Sequence, residues 1–246
     1  MSHATLTLLR HGQSEWNRVG RFQGWTDVGL SPAGEVEAAR VGRLLRERGY
    51  RFDSCFTSVL RRSTDTTRIV LEVLSQERVP IQESWRLNER HYGALQGLGP
   101  VSSVCRYGLQ VFRCQRSFDA RPPALGLDDP RFPGNDPRYS ELSREELPRS
   151  ESLHDTVRRM LPFWERSILP ELERGAKVLV VSHKNTLRGL LKHLEGRMDD
   201  DIRRISVPTC RPIVFEFNRD MTIVDRRVLE VDRAQETERY DRSGAR

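Results

Sequence analysis

Lysine is nearly absent from this 246-residue chain: of 41 basic residues, only Lys177, Lys184 and Lys192 are lysines. The others are arginines interleaved with acids, as in Arg43, Arg46, Glu47 and Arg48. A net charge of +6 suits a nucleic-acid surface, but no long basic block with interleaved aromatics is present, so no nucleic acid partner is expected. Cysteine is sparse as well. Cys55, Cys105, Cys114 and Cys210 follow no CxxC or metal-type spacing, which favours reduced thiols and speaks against a structural zinc site. No stretch approaches the roughly 18 apolar residues of a membrane-crossing helix, and the first residues lack the charged-then-apolar pattern of a signal peptide. The expectation is a cytoplasmic protein with no membrane partner. The length suits one α/β domain with a full core.

Strand and helix signals alternate along the chain, which predicts an α/β fold with a mostly parallel sheet flanked by helices. An apolar run, Thr5 to Leu9, stops at Arg10-His11-Gly12. Ser31-Pro32 offers an N-cap with proline at the first helical position, and the helix runs to about Arg48 before Gly49. A short strand, Ser54 to Thr57, leads to a helix over about Leu60 to Leu74. Helical spacing resumes at Ser152 with an expected kink near Pro162. Lys177 to Ser182 is nearly continuous in apolar residues, as in a buried central strand. It ends at His183 and enters another helix. Strands near Ile213 to Phe217 and Ile223 to Leu229 complete a domain of residues 1–230, with a charged tail over 231–246.

Residues 97–149 look different. Pro122-Pro123, Pro130, Pro133-Gly134 and Pro137 break the periodicity. Phe112, Phe118, Phe132 and Tyr139 nevertheless supply something to bury, which predicts a lid-like insertion rather than a disordered linker.

His11 and His183 each follow an apolar strand. In a parallel sheet those strand ends share one edge, where α/β proteins place chemistry. Imidazole is nucleophilic near neutral pH, and Arg10 beside it would hold an anion within reach.

The segments LLRHGQSEWN (Leu8 to Asn17), RFQGWTDVGLS (Arg21 to Ser31), FTSVLRRS (Phe56 to Ser63), LNERHYGALQGL (Leu87 to Leu98), LPRSESL (Leu147 to Leu153) and VSHKNTLRGLLKHLEG (Val181 to Gly196) resemble the histidine phosphatase superfamily. Within it they resemble the cofactor-dependent phosphoglycerate mutases, over about Thr5 to Phe217. The resemblance implies a phosphoglycerate mutase-like fold with His11 as the nucleophile that becomes phosphohistidine. Arg10, Arg62 and His183 would surround the phosphoryl group, with Asn17 and the backbone near Gln23 and Gly24 adding hydrogen bonds. Glu89 would move the proton of the substrate hydroxyl. Arg90, Tyr92, Arg116 and Asn185 would orient the substrate's carboxylate or second phosphate. It further implies no metal, a small phosphorylated anionic metabolite as partner, 2,3-bisphosphoglycerate as a donor that primes His11, and a homodimer or homotetramer.

The departures from that family cluster on the substrate side. Gly99-Pro100 replaces a lysine position, Gln115-Arg116 replaces a paired arginine, and Lys184 and Cys210 replace glycines, the latter followed by Arg211. Two fixed cations are lost, while Lys184, Arg121 and Arg211 offer new ones. Two outcomes therefore stand side by side: phosphoglycerate interconversion, or hydrolysis of a different small phosphometabolite through the same phosphohistidine. A non-catalytic binding protein on this fold is a third reading, opposed by the joint retention of Arg10, His11, Arg62, Glu89 and His183.

Overall fold

The computed structural model describes residues 3–230, with all side chains there except those of residues 200, 201 and 203. The tail expected over 231–246 lies outside the described residues. Six strands form one sheet in the order β3-β2-β4-β1-β5-β6: β1 (Ala4–Arg10), β2 (Ser54–Thr57), β3 (Ile81–Glu83), β4 (Lys177–Ser182), β5 (Ile213–Phe217) and β6 (Ile223–Val228). The first four run parallel, β5 is antiparallel to β1, and β6 is antiparallel to β5.

Two cores explain why β1 and β4 read as near-continuous apolar runs. Leu6, Leu8, Val178 and Val180 face one layer, built with α6 (Leu153–Phe163) and α8 (Lys184–Leu194). Leu9, Leu179 and Val181 face the other, built with α2 (Pro32–Glu47) and α3 (Arg61–Val73). Alternate residues of one strand thus enter opposite cores, so nearly every position is apolar. A single helical turn, α1 (Glu15–Arg18), follows β1, and α2 begins as its sequence suggests: Ser31 Oγ accepts from Gly34 N at 3.1 Å, and Pro32 occupies the first turn. Among the described residues no helix is long and apolar enough to cross a membrane.

The irregularity expected near Pro162 takes the form of a π turn at Trp164–Ile168, which begins two residues after the proline and leads from α6 into α7 (Leu169–Glu173). Pro162 cannot donate to the preceding turn and Pro170 cannot donate to its own. A widened turn between two prolines re-seats the backbone without breaking the helix. Phe112, expected to be buried, is 40% exposed under the Arg116 guanidinium. Phe132 and Tyr139 are buried, and Phe118 packs against the first core.

The segment 97–149 carries α4 (Pro100–Tyr107) and α5 (Gln110–Arg116), then two short 3₁₀ turns. It buttresses the loop 88–96 from behind. Tyr139 Oη accepts from Asn88 Nδ2 at 2.9 Å, Arg131 Nη1 donates to Gln96 O at 2.7 Å, and Ala94 N donates to Pro123 O at 2.8 Å.

Candidate active site

Sheet register decides where the two histidines meet. Arg10 is paired with Ser182, and His11 N donates to Ser182 O at 3.0 Å. Residues 11 and 183 therefore leave adjacent strands side by side, and their ring centroids lie 4.9 Å apart. Gly12 permits this turn to pack tightly: a Cβ there would stand 2.4 Å from Gly34 O. Two helix N-termini converge on the same edge, each carrying a cation in its first turn. Helix α3 brings Arg62, and α8 brings Lys184 directly after its N-cap His183. A cation is disfavoured at the positive end of a helix dipole, so both placements fit an anion between them.

His11 is buried, with Nδ1 lying 2.7 Å from Gly12 O. A carbonyl only accepts, which assigns the ring proton to Nδ1 and leaves the lone pair on Nε2. Burial, then Arg62 and Arg10, holds its pKa well below the ordinary histidine value, so the imidazole is neutral at neutral pH. His183 is also buried and lowered by burial and then Arg62; its Nε2 lies 2.7 Å from Ser58 Oγ. Arg10 Nη1 donates to Val207 O at 3.0 Å. Arg62, 1% exposed, donates to Thr26 O at 3.1 Å and Gly24 O at 2.7 Å, and burial pushes its pKa down to about 10.

Glu89 sits on the loop after β3. Its Oε1 accepts from Arg90 N at 2.8 Å and from Asn185 N, at the start of α8, at 3.2 Å. The loop is pinned by a buried ion pair, Arg159 Nε to Glu151 Oε1 at 2.6 Å. Arg159 also donates to Arg86 O, Asn88 O and Glu89 O at 2.6, 2.8 and 2.9 Å, and Glu151 Oε2 accepts from His91 N at 2.8 Å. Trp25 Nε1 adds a 2.7 Å bond to Glu89 O.

These groups face a cavity of about 180 Å³ walled by Arg10, His11, Asn17, Arg21, Phe22, Gln23, Gly24, Arg62, Glu89, Tyr92 and Lys184. Larger hollows, of about 390 and 540 Å³, lie at the opposite sheet edge and beside α6. Size does not identify the site; unmet polar groups do. Among the described residues, nine side-chain atoms are buried without a partner. Arg10 Nε, Arg62 Nε and Gln23 Oε1 belong to residues of this wall, and His183 Nδ1 to the ring beside His11, which does not itself line the cavity. The other five lie elsewhere, and neither larger hollow has one among its lining residues. Leaving buried charged donors unmet costs about 1–3 kcal/mol each or more, which marks the place a ligand is built to fill. No group of three or more His, Cys, Asp and Glu side chains converges as a metal site requires, among the described residues.

Not every residue singled out from sequence joins this wall. Asn185 stands behind it, donating to Tyr92 Oη at 2.8 Å. Arg90 is a bracket: its guanidinium donates to Glu151 O, Cys114 O and Ala120 O at 2.7, 2.9 and 2.9 Å. Arg116 is exposed at the end of α5, stacked over Phe112. The segment 97–149 contributes none of the lining residues. Arg21 and Phe22 are additions to the wall and stood in the motif that opens RFQGW; Ser14 and Ser58 stand outside the wall, against Gln23 and His183, and Ser14 was legible as an N-cap from Ser14-x-x-Asn17.

The departures separate cleanly. Lys184 lines the cavity, half-buried, its pKa lowered by burial first and then by Arg188 and Arg10. Cys210 occupies a left-handed conformation with φ of +47° beside Arg10, whose carbonyl accepts from Cys210 N at 3.0 Å. Pro100 simply starts α4 after Gly99. Arg121 is held away by Asp155, at 2.6 and 2.7 Å.

Comparison with known proteins gives the family. A 2,3-bisphosphoglycerate-dependent phosphoglycerate mutase from Hamiltonella defensa subsp. Acyrthosiphon pisum (strain 5AT) is 46% identical over 222 residues, 90% of this chain and 89% of its own. The fold is shared with Mycobacterial hydrolase 1 (TM-score 0.69, 20% identity, 92% of this chain and 97% of that one). It is also shared with an alpha-ribazole phosphatase from Shigella flexneri (TM-score 0.67, 22% identity, 92% and 95%). A family model for the histidine phosphatase superfamily matches residues 6–126 and 130–229. With the paired imidazoles, the arginines around them and this coverage together, the chain belongs to the histidine phosphatase superfamily, branch 1.

Proposed function

We propose that the protein interconverts 2-phosphoglycerate and 3-phosphoglycerate through a phosphorylated His11. The observation that carries this reading is the pair Arg10 and Arg62, each with a buried, unmet Nε, together with the ring of His183, set beside a neutral imidazole with a free Nε2 lone pair. Phosphoryl transfer needs an in-line nucleophile and fixed donors around the equatorial oxygens. Phospho-His11 donates to the free hydroxyl of the substrate: as the new O–P bond forms, the P–Nε2 bond breaks and Glu89 takes the hydroxyl proton. The bisphosphorylated intermediate reorients, and as the His11 Nε2–P bond forms with its other phosphate, that ester O–P bond breaks and the leaving alkoxide takes the proton back from Glu89. Asn17 completes the phosphoryl cradle. Lys184 and Arg21 face the remaining anionic group, and 2,3-bisphosphoglycerate is the donor that suits the first phosphorylation of His11. Arg90 and Arg116 take no part in this reading.

Hydrolysis is the second reading, and one observation favours it. Arg116 stands outside the cavity wall, which weakens the hold on a doubly phosphorylated intermediate unless Lys184 replaces it. An intermediate that escapes leaves the phosphoenzyme for water. Phosphorus NMR separates the two readings: 3-phosphoglycerate with catalytic 2,3-bisphosphoglycerate is followed beside a His11→Ala control. Appearance of 2-phosphoglycerate supports interconversion, and inorganic phosphate alone supports hydrolysis. Absence of an acid-labile phosphoenzyme from either donor would sink the nucleophile assignment.

A further inference from the structure

The chain has three lysines, and their surroundings differ. Lys177 is exposed at the start of β4, at the opposite end of that strand from His183. Lys192 pairs with Asp199 at 2.8 Å and lies over the Phe118 ring. Lys184 is half-buried in the cavity wall, and among the described residues neither a hydrogen bond nor an ion pair holds its side-chain nitrogen. Its neighbours oppose a positive charge there. It directly follows the N-cap of α8, where the helix dipole is positive, and Arg188 lies one turn further on the same face. Arg10 acts on it from β1 and Arg21 shares the wall, while Glu89 is the one carboxylate among the lining residues. Burial first, then Arg188 and Arg10, lowers its pKa, so more of Lys184 than of an ordinary lysine is the free amine.

A free amine beside an anion cradle is a reagent, and the cradle selects what it meets. Arg10 and Arg62 in the same wall draw in a phosphoryl group. The cavity, about 180 Å³, is small enough that a molecule held by these arginines also meets Lys184. An acyl phosphate carries an electrophilic carbon one oxygen away from its phosphorus. We propose that Lys184 is an acylation site, modified by small acyl phosphates that the His11 cavity binds through their phosphate. Lys184 Nζ, as the amine, attacks the acyl carbon; the N–C bond forms and the C–O bond to the phosphate breaks. The phosphate leaves with the proton that the nitrogen sheds, which balances the step without another reagent. The product is an uncharged amide that takes one cation and some space from the cavity, so the modified protein binds its anionic ligand less well. This chemistry differs from phosphoryl transfer at His11, where the attack falls on phosphorus. It rests on the proposed anion site and uses a residue where the mutase pattern has glycine.

The test is peptide mass spectrometry of His11→Ala protein, which cannot form phosphohistidine, after incubation with acetyl phosphate near neutral pH. Acetylation of Lys184 should run at least about tenfold faster than that of Lys177 or Lys192, a gain from holding the reagent beside the amine. Inorganic phosphate at about ten times its dissociation constant, measured by isothermal titration on the same protein, should slow Lys184 about tenfold and leave Lys177 unchanged. Acetylation should also weaken 2-phosphoglycerate binding about tenfold, and the same treatment should leave binding by His11→Ala/Lys184→Arg unchanged. Equal rates at the three lysines, a Lys184 rate that bound phosphate does not slow, or acetylated protein that binds 2-phosphoglycerate as before would each overturn the proposal while the anion site stands. If phosphate does not bind at all, the anion site falls and the acylation site with it.

Discussion

Glu151→Gln is the change that most directly tests how the Glu89 loop is held. Glu151 and Arg159 side chains are 5% and 8% exposed, with Nε and Oε1 2.6 Å apart. Glutamine preserves the volume but removes the charge, leaving the Arg159 guanidinium buried and uncompensated. It also sets an amide N–H against either Arg159 or the His91 N–H that now donates to Oε2. Breaking one side of a buried pair costs about 3–5 kcal/mol. At roughly 2–4 °C per kcal/mol for a chain of this size, the melting temperature should fall by about 6–20 °C. Arg159 also binds Glu89 O, so the step that needs a proton at Glu89 should slow even at temperatures where the variant is folded. The assay is urea denaturation of Glu151→Gln, Arg159→Met and the double variant, with phosphoenzyme formation measured at low temperature. A coupling energy of at least 2 kcal/mol is expected, the double variant being more stable than the single losses add up to. A loss below about 1 kcal/mol in Glu151→Gln, or simple additivity, would refute the view that this pair pins the loop.

Arg10→Met removes one unmet donor beside His11 and should slow phosphoenzyme formation about a hundredfold, read by rapid quench with labelled donor; a change under threefold would remove Arg10 from the cradle. Because burial, Arg62 and Arg10 lower the His11 pKa, its neutral form persists well below pH 6.5. Phosphoenzyme formation, corrected for the ionisation of the substrate phosphate, should stay level from pH 8 to 6.5, and a midpoint at or above 6.5 would contradict this. His91 is pushed down to about 3 by burial and then by Arg159. The unfolded chain binds that proton near pH 6.5 and the folded one does not, so stability falls as pH drops from about 6.5 toward 3, by up to ~1.4 kcal/mol per pH unit. His91→Asn should therefore lose about 2 kcal/mol less than the parent between pH 7 and 5 in urea titrations; equal losses would disprove it. Gly12→Ala drives a Cβ toward Gly34 O and should cost about 1–3 kcal/mol while displacing His11; unchanged stability and activity would show that the turn is slack.

Much of this was legible in the chain because strand ends announce themselves. The apolar runs ending at His11 and His183 gave both imidazoles and their shared edge, and sheet register then set the 4.9 Å separation. Arg90 and Arg116 were not separable by sequence. A guanidinium that brackets three carbonyls and one that lies on the surface are written with the same letter, and only the packing of residues 114–120 and 151 distinguishes them. Tyr139 and Phe132 were readable as buried, whereas Phe112 was not readable as exposed, because a short amphipathic helix such as α5 shows too few turns for its period to fix a face.

The strand order also governs how the chain can mature. Thr5 pairs with Lys177, 172 residues later, and the other neighbour of β1 is β5, later still. During synthesis β1 has no partner strand until almost three-quarters of the chain exists, while β2 and β3 can already pair. The chain must carry an apolar strand and the nucleophile's turn unpaired through that interval. Insertion of β4 between β2 and β1 then closes the sheet and creates the site in one event. No shortened product lacking β4 can hold partial activity, and the early fragment is the species most in need of protection from aggregation.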